Sequence, residues 1–235
     1  MPPIIALPTP KLAARSAVAA AVLLACACFV TLVTHSSQQT FETFNDPARY
    51  AAALRDSALG LRWIVAIDDC FIIAYALTTV CLVSVLMRRG LEAPLGLLLV
   101  SVLAGAALDF TENHQIVSLL RRAELGFVPT LEELTQREAL SSLKWLLAHG
   151  AFAMLGLLLR FPAELAVPLR ASFVGLQVVV GVAVLVVTSP SLLSALSWVR
   201  YGNILSGFLI IAWLMRTESD EQAQAEALGA AVHAQ

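Results

Sequence analysis

The stretch LRWIVAIDDCFIIAYALTTVCLVSVLM, residues 61–87, decides the class of fold that the chain adopts. It is apolar over most of its length, and a helix of about 20 apolar residues crosses the roughly 30 Å of hydrocarbon in a bilayer. Two adjacent aspartates, Asp68 and Asp69, interrupt it, and Tyr75 follows Asp68 at heptad spacing. The stretch therefore predicts a transmembrane helix carrying carboxyl groups that hydrocarbon alone would not accept.

The composition of the whole chain also indicates a membrane protein. Its 235 residues are 59% hydrophobic and 14% charged, and the mean hydropathy is +0.80. Apolar windows of similar length recur along the chain. We predict an all-α, polytopic integral membrane protein: a bundle of six transmembrane helices with short helices over the outer mouth. The predicted spans are residues 15–33, 61–87, 94–117, 140–159, 171–188 and 192–215.

The connections between spans carry recognisable start and stop signals. Asp46 followed by Pro47 predicts the cap and first turn of a short helix. Thr130 with Glu133 fits a capping box that opens a helix running into the fourth span. Pro190 predicts a tight hairpin between the fifth and sixth spans. Residues 1–216 thus form a single membrane domain, and residues 217–235, which are acidic and alanine-rich, predict a flexible cytoplasmic tail.

The distribution of lysine and arginine predicts the orientation. In bacterial membranes the short loops that hold an excess of these residues remain in the cytoplasm. That rule predicts a multi-pass protein of the bacterial inner (cytoplasmic) membrane, with the N-terminus and the C-terminus both cytoplasmic. The residues that this orientation places on the cytoplasmic side are Lys11, Arg15, Arg88, Arg89, Arg160, Arg170 and Arg216.

Polar side chains in four of the predicted spans fall at a similar depth. An ionised group near the bilayer centre costs roughly 2.5–3.5 kcal/mol on insertion scales, so each needs a partner, water or a proton. Asp109, Glu112 and Asn113 share one helix face at i, i+3 and i+4 spacing. We predict a polar pocket in the outer half of the bilayer. Its predicted binding residues are Asp68, Asp69, Tyr75, Asp109, Glu112, Asn113, Arg200 and Asn203.

The balance of charge in this pocket favours a cationic ligand. Four carboxyl groups face one certain cation, Arg200. Lys144 is a possible second cation, but its flexible stem also allows it to reach the membrane interface. We expect Asp68 or Asp69 to lie near Arg200, and Asp109 and Glu112 to border one cavity. The first function hypothesis is therefore an acidic pocket that binds a cation or a charged headgroup or small molecule.

A second hypothesis is a membrane-embedded enzyme that acts on a lipid or lipid-linked substrate. His149, Asp109 and Ser142 are its candidate catalytic residues, because acid–base chemistry needs a histidine or carboxyl group near the reacting atoms. Asp109, Glu112 and His149 are candidate ligands for a divalent metal. A haem between His114 and His149 is not favoured, since two such histidines are a minimal signal.

A third hypothesis is a structural or assembly subunit of a membrane complex. Small residues in the first span would allow close approach to another helix, and a buried polar network can serve only to fix helix packing. Membrane lipid is the expected partner in each case, and homo-oligomers and hetero-oligomers both remain open. Nucleic acid is not expected, because the net charge is −2 and the positive residues are scattered.

Overall fold

The chain is helical almost throughout. The structure, a computed structural model, describes residues 9–42, 46–87, 92–159, 161–163, 165–187 and 189–233. It is 90% helical, and no strand occurs in these ranges. The helices are α1 (Pro10–Thr34), α2 (Pro47–Asp56), α3 (Ala58–Met87), α4 (Glu92–Glu124), α5 (Leu131–Leu158), α6 (Ala166–Arg170), α7 (Gln177–Val186) and α8 (Pro190–His233), with a short 3₁₀ turn at Gln38–Phe41 and a π-helical turn at Ala171–Leu176 that joins α6 to α7.

Six helical segments are long and apolar enough to cross a membrane, which confirms the predicted all-α, six-span architecture. They are α1, α3, α4, α5, the continuous segment from α6 to α7, and α8. Several extend beyond the predicted limits. α5 starts at Leu131, where the Thr130–Glu133 capping box is formed, and runs on into the fourth span as the sequence predicted. α8 continues to His233, so the predicted tail is helical at least that far.

The six spans pack as a closed ring. α1 contacts α3 and α8, α4 contacts α3 and α5, and the α6–α7 segment contacts α5 and α8. Aromatic side chains meet inside the ring, where Phe208 of α8 makes edge contacts with Phe71 of α3 and Phe152 of α5. A ring of helices leaves room for a cavity between them, and that cavity is described below.

The segment between α1 and α3 covers one end of the ring, called here the α2 end. Asp46 caps α2 by accepting hydrogen bonds from the amides of Ala48 and Arg49, as the sequence predicted. α2 packs mainly against α4. Phe41 and Tyr50, which are almost wholly buried, join a hydrophobic cluster with residues of α3, α4 and α5. This apolar anchor holds the 35–42 segment over the helix ends.

A glycine sets the closest approach between α5 and the fifth span. A Cβ atom added to Gly156 would lie 2.6 Å from the Cβ of Phe173 and 2.8 Å from the Cγ2 of Val174. We expect Gly156→Ala to destabilise the fold by about 1–3 kcal/mol, because Phe173 is buried and the added methyl overpacks the contact. Thermal unfolding in detergent measures this change.

Gly150→Ala, on the same helix, is the matched control. A Cβ there meets nothing within 4 Å, and alanine favours helix over glycine by up to about 1 kcal/mol. We expect its Tm to be unchanged or slightly raised. Equal melting temperatures for the two variants would contradict the close packing at Gly156.

Candidate functional site

A buried carboxylate, Glu112 of α4, lies at the centre of the polar network. Its side chain is almost completely buried and accepts hydrogen bonds from Arg137 (3.0 Å), Ser141 (2.7 Å) and Lys144. These three residues share one face of α5, because they follow i, i+4 and i+7 spacing. Arg137 and Lys144 are themselves about 2% and 5% exposed. Two cations therefore neutralise Glu112 away from water.

Lys144 also joins Glu112 to two other carboxyl groups. Its ammonium lies 3.3 Å from Glu42 in the 35–42 segment and 3.2 Å from Asp109 of α4. Glu42 in addition accepts a hydrogen bond of 3.0 Å from the indole N–H of Trp145. Burial raises the pKa of Glu42, but Lys144 and Arg200 outweigh it and hold that pKa below its usual range. Glu42 is thus an ionised member of the network.

Asn113 connects the two aspartates of α3 to the 35–42 segment. Its amide nitrogen donates to Asp68 and to Asp69, each at 2.8 Å. Its oxygen accepts a hydrogen bond of 2.8 Å from Gln38. The Asp68, Asp69, Glu112 and Asn113 side chains thus converge between α3, α4 and α5, as their shared depth predicted.

Tyr75 and Asp109 form a second link between α3 and α4. The Tyr75 hydroxyl donates to the Asp109 carboxylate at 2.7 Å. Asp109 therefore has two polar contacts, Tyr75 on one side and Lys144 on the other. The sequence placed both residues in the pocket, and both line the same cavity.

Arg200 does not pair with the aspartates of α3, which corrects the expectation from sequence. The guanidinium of Arg200 stacks on the ring of Trp145, with its carbon 3.3 Å from the ring centroid. In the described part of the chain no ion pair within 4.0 Å joins it to Asp68 or Asp69, and its Nε and Nη1 atoms have no hydrogen-bond partner. The indole face and the charge of Glu42 take the place of an aspartate partner.

The three candidate catalytic residues are not brought together. Ser142 is exposed on the outer surface of α5, whereas its neighbour Ser141 points inward to Glu112. His149 hydrogen-bonds Gln177 of α7 at 2.9 Å and stacks near Trp145. Asp109 contacts Tyr75 and Lys144 instead. Ser141 and Ser142 are consecutive on α5, so their side chains point about 100° apart around the helix axis. The sequence pattern alone did not show which of the two faces inward.

The candidate metal ligands are likewise separated. Asp109 and Glu112 both contact Lys144, and His149 turns toward the fifth span. Among the residues that the structure describes, no group of three His, Cys, Asp or Glu side chains is close enough to hold a metal ion. His114, the other half of the suggested haem pair, is exposed on α4.

Asn203 contributes to helix packing rather than to the polar network. It lies on α8 and exchanges hydrogen bonds with the side chain and the carbonyl of Ser172 in the π-helical turn. A helix-to-helix contact of this kind stabilises a bundle without contacting a ligand.

A cavity of about 120 Å³ lies inside the helix ring, next to the polar network. We call it the inner cavity. Its end nearest α2 is polar, and its other end is apolar. The polar end is lined by Gln38, Glu42, Asp68, Tyr75, Asp109, Lys144, Trp145 and Tyr201. The apolar end is lined by residues that include Leu82, Val102, Phe152, Leu155, Ile204, Phe208 and Ile211. Glu112 is not among the lining residues, contrary to expectation, because Arg137, Ser141 and Lys144 enclose it.

Sequence reasoning missed Glu42 and Arg137 as members of the network and left Lys144 as a possible member. Arg137 and Lys144 had a usable signal: the capping box starts α5 ahead of both, and i+7 spacing puts them on one face. Glu42 lies in a connecting segment, where side-chain direction follows no period. Its position became apparent only in three dimensions.

Comparison of the chain with protein-family models, curated proteins and solved structures finds no significant match.

Proposed function

We propose that the protein binds a compact molecule bearing an ammonium group in the inner cavity. The ammonium group contacts Asp68, and the apolar body of the molecule packs between Phe152 and Phe208. The observation that carries this proposal is the position of Asp68 and its hydrogen-bond partner. Asp68 is a carboxyl group on the cavity wall whose hydrogen-bond partner is a neutral amide, Asn113.

The charges on the cavity wall support a cationic ligand. The described charged residues there are Glu42, Asp68, Asp109 and Lys144, which is three acids and one base. Lys144 contacts Glu42 and Asp109. Within the described ranges, no lysine, arginine or histidine lies within 4.0 Å of Asp68. A ligand ammonium group would supply the missing positive charge, which an isolated carboxylate in a membrane needs.

The shape and lining of the cavity support an amphiphilic ligand rather than a bare ion. Tyr75 lines the polar end, and an aromatic face attracts an ammonium group by cation–π interaction. Trp145 and Tyr201 also line this end, with Arg200 over both rings. The opposite end is lined mostly by aliphatic and phenylalanine side chains, and its polar groups are the hydroxyls of Thr78, Thr79 and Ser101. Among its described lining residues there is no carboxylate that would replace the hydration shell of an ion. Its volume is similar to that of engineered apolar cavities of about 150 Å³ that bind benzene. A ligand with one small ring or a short alkyl chain fits these limits.

The structural hypothesis is favoured for the part of the network around Glu112. Glu112 lies outside the cavity, and three side chains of α5 satisfy it. This geometry supports a role for Glu112, Arg137 and Ser141 in fixing α4 against α5. The placement of His149 and Ser142 gives no comparable support to the enzyme hypothesis.

Binding of para-bromobenzylammonium tests the proposal. Its bromine quenches tryptophan fluorescence at contact, and Trp145 lines the cavity. A parent protein carrying Trp63→Phe, Trp198→Phe and Trp213→Phe keeps Trp145 as its only tryptophan. We expect saturable quenching in this parent and at least about a tenfold weaker affinity after Asp68→Asn, which corresponds to 1.4 kcal/mol.

Two controls separate binding at Asp68 from partition into the micelle. Asp69→Asn is the matched variant, because Asp69 contacts the same Asn113 amide but does not line the cavity; its affinity should match the parent. The neutral para-bromobenzyl alcohol should quench weakly in every variant. Equal affinities in the Asp68→Asn and Asp69→Asn proteins would refute the proposed site.

A further inference from the structure

A second and larger cavity adjoins the inner one near the α2 end. Its volume is about 680 Å³, and it lies between α1, the 35–42 segment, α3 and the start of α8. Cys28 and Thr31 of α1 line one wall, and Ser194 and Ser197 of α8 line the facing wall. Residues 35–40 of the 35–42 segment also line it. This cavity is therefore more polar than the apolar end of the inner cavity.

Four side chains separate the two cavities and line both of them. They are Leu24, Gln38, Asp68 and Tyr201. The partition therefore consists of side chains, and changes of rotamer can open it without moving a helix. Asp68 is the only carboxyl group among the four, so the residue proposed to hold the ammonium group is accessible from both sides.

Hydrogen bonds hold this partition closed. Gln38 donates to Asn113, and the same Asn113 amide donates to Asp68. An ammonium group that reaches Asp68 competes with Asn113 for the same carboxylate, and the Asn113 side chain is the one that holds Gln38 in place. Ligand binding and the position of Gln38 are thereby linked through a single amide.

Described ion pairs and core side chains surround the other sides of the inner cavity. Toward α4 and α5 the polar end is closed by Lys144 and by the buried Glu112–Arg137 pair behind it. The apolar end is closed by packed side chains of the hydrophobic core, including Leu155, Phe208 and Ile211. The larger cavity thus adjoins the inner one at Asp68, which lines both.

The geometry points to an access route: the larger cavity is a vestibule through which the ammonium-bearing ligand reaches the inner cavity, with Gln38 and Tyr201 as its gate. This inference rests on the function proposed above and adds the path and the gate. It requires that narrowing the vestibule slows ligand exchange in both directions with little change in the affinity at Asp68, and that releasing Gln38 accelerates exchange.

A native cysteine in the vestibule wall provides the test. Cys28 lines the vestibule and is half-buried, whereas Cys26 is exposed and does not line it. In the Trp145-only protein, Cys26→Ser, Cys70→Ser and Cys81→Ala leave Cys28 as the single thiol, and Cys28→Ser in place of Cys26→Ser gives a matched Cys26-only control. A bulky, charged, water-soluble methanethiosulfonate then modifies the remaining cysteine. Exchange of para-bromobenzylammonium is followed by stopped-flow fluorescence.

We expect the label on Cys28 to reduce both the association and the dissociation rate severalfold, with the equilibrium affinity nearly unchanged. The same label on Cys26 should leave both rates as they were. Gln38→Ala, without any label, should raise both rates. Failure of the reagent to modify Cys28, or unchanged rates after its modification, would overturn the access route. Such results would leave equilibrium binding at Asp68 intact, whereas absence of binding in the unlabelled protein would refute the proposed function itself.

Discussion

Glu112→Gln is expected to lower the free energy of unfolding by about 3–5 kcal/mol, because it breaks a buried ion pair and leaves cations without their carboxylate. Arg137 is the residue most affected. Its side chain is about 2% exposed, and Glu112 is the carboxylate that it contacts, at 3.0 Å. The neutral amide can retain a hydrogen bond but not the charge. Equilibrium unfolding in mixed detergent micelles measures the loss.

A surface ion pair provides the control for this prediction. Arg62 and Glu124 approach to 2.7 Å, but their side chains are 53% and 35% exposed. Glu124→Gln should therefore change stability by only about 0.2–1 kcal/mol, since water and salt screen an exposed pair. If the two Glu→Gln variants lost equal stability, the burial of Glu112 would have no energetic consequence and the prediction would be wrong.

A double variant tests whether the loss arises from an uncompensated charge. Combining Glu112→Gln with Arg137→Gln removes both partners of the pair, so the double variant should be more stable than the sum of the two single losses implies. An additive result would show that Glu112 acts through hydrogen bonding to Ser141 and through packing rather than through Arg137.

The sequence predicted the convergence of Asp68, Asp109 and Asn113 for a definite physical reason. Hydrocarbon excludes isolated carboxyl groups, so residues at similar depths on different spans must face one another. The i and i+4 spacing of Asp109 and Asn113 then fixed the direction in which α4 presents them. Both arguments need only local geometry and the membrane, and hydrogen bonds join α3 to α4 at these side chains.

The choice of partners could not be predicted in the same way. Arg200 was expected on an aspartate of α3 but stacks on Trp145 of α5. The sequence left Lys144 open between the pocket and the interface, and three carboxylates hold it inside. One of these is Glu42, whose segment has no periodicity. Pairing within a network depends on helix order and on loops, and neither follows from the hydropathy of single spans.

Lys144→Met is expected to lower the free energy of unfolding as much as Glu112→Gln does, but the loss should depend differently on pH. Methionine keeps much of the apolar stem and removes the ammonium group that contacts Glu42, Asp109 and Glu112. Glu112 retains Arg137, whereas Glu42 and Asp109 lose the cation that they contact. Removing one partner from a buried charge network destabilises a protein by about 3–5 kcal/mol.

The pH dependence follows from Glu42. In the native protein Lys144 and Arg200 hold its pKa below the usual range despite burial, so its stabilising contribution is present above the unfolded pKa and is lost as the pH falls. Without Lys144 the effect of burial dominates, and the folded pKa of Glu42 rises. The folded variant then takes up a proton more readily than the unfolded chain, and its deficit in stability should shrink as the pH falls through the raised pKa.

Unfolding free energies measured from neutral pH down to about the pKa of a free glutamate, near 4.3, check both parts of this expectation. Lys11→Met is the matched control, because Lys11 is the other lysine of the chain and is exposed at the start of α1. It should leave stability and its pH dependence unchanged. If Lys144→Met behaved like Lys11→Met, the ammonium group of Lys144 would be extended to the interface, and the acids around the cavity would have no shared cation. If it were destabilised equally at every pH, the loss would come from packing, and the pairing of Lys144 with an ionised Glu42 would be refuted.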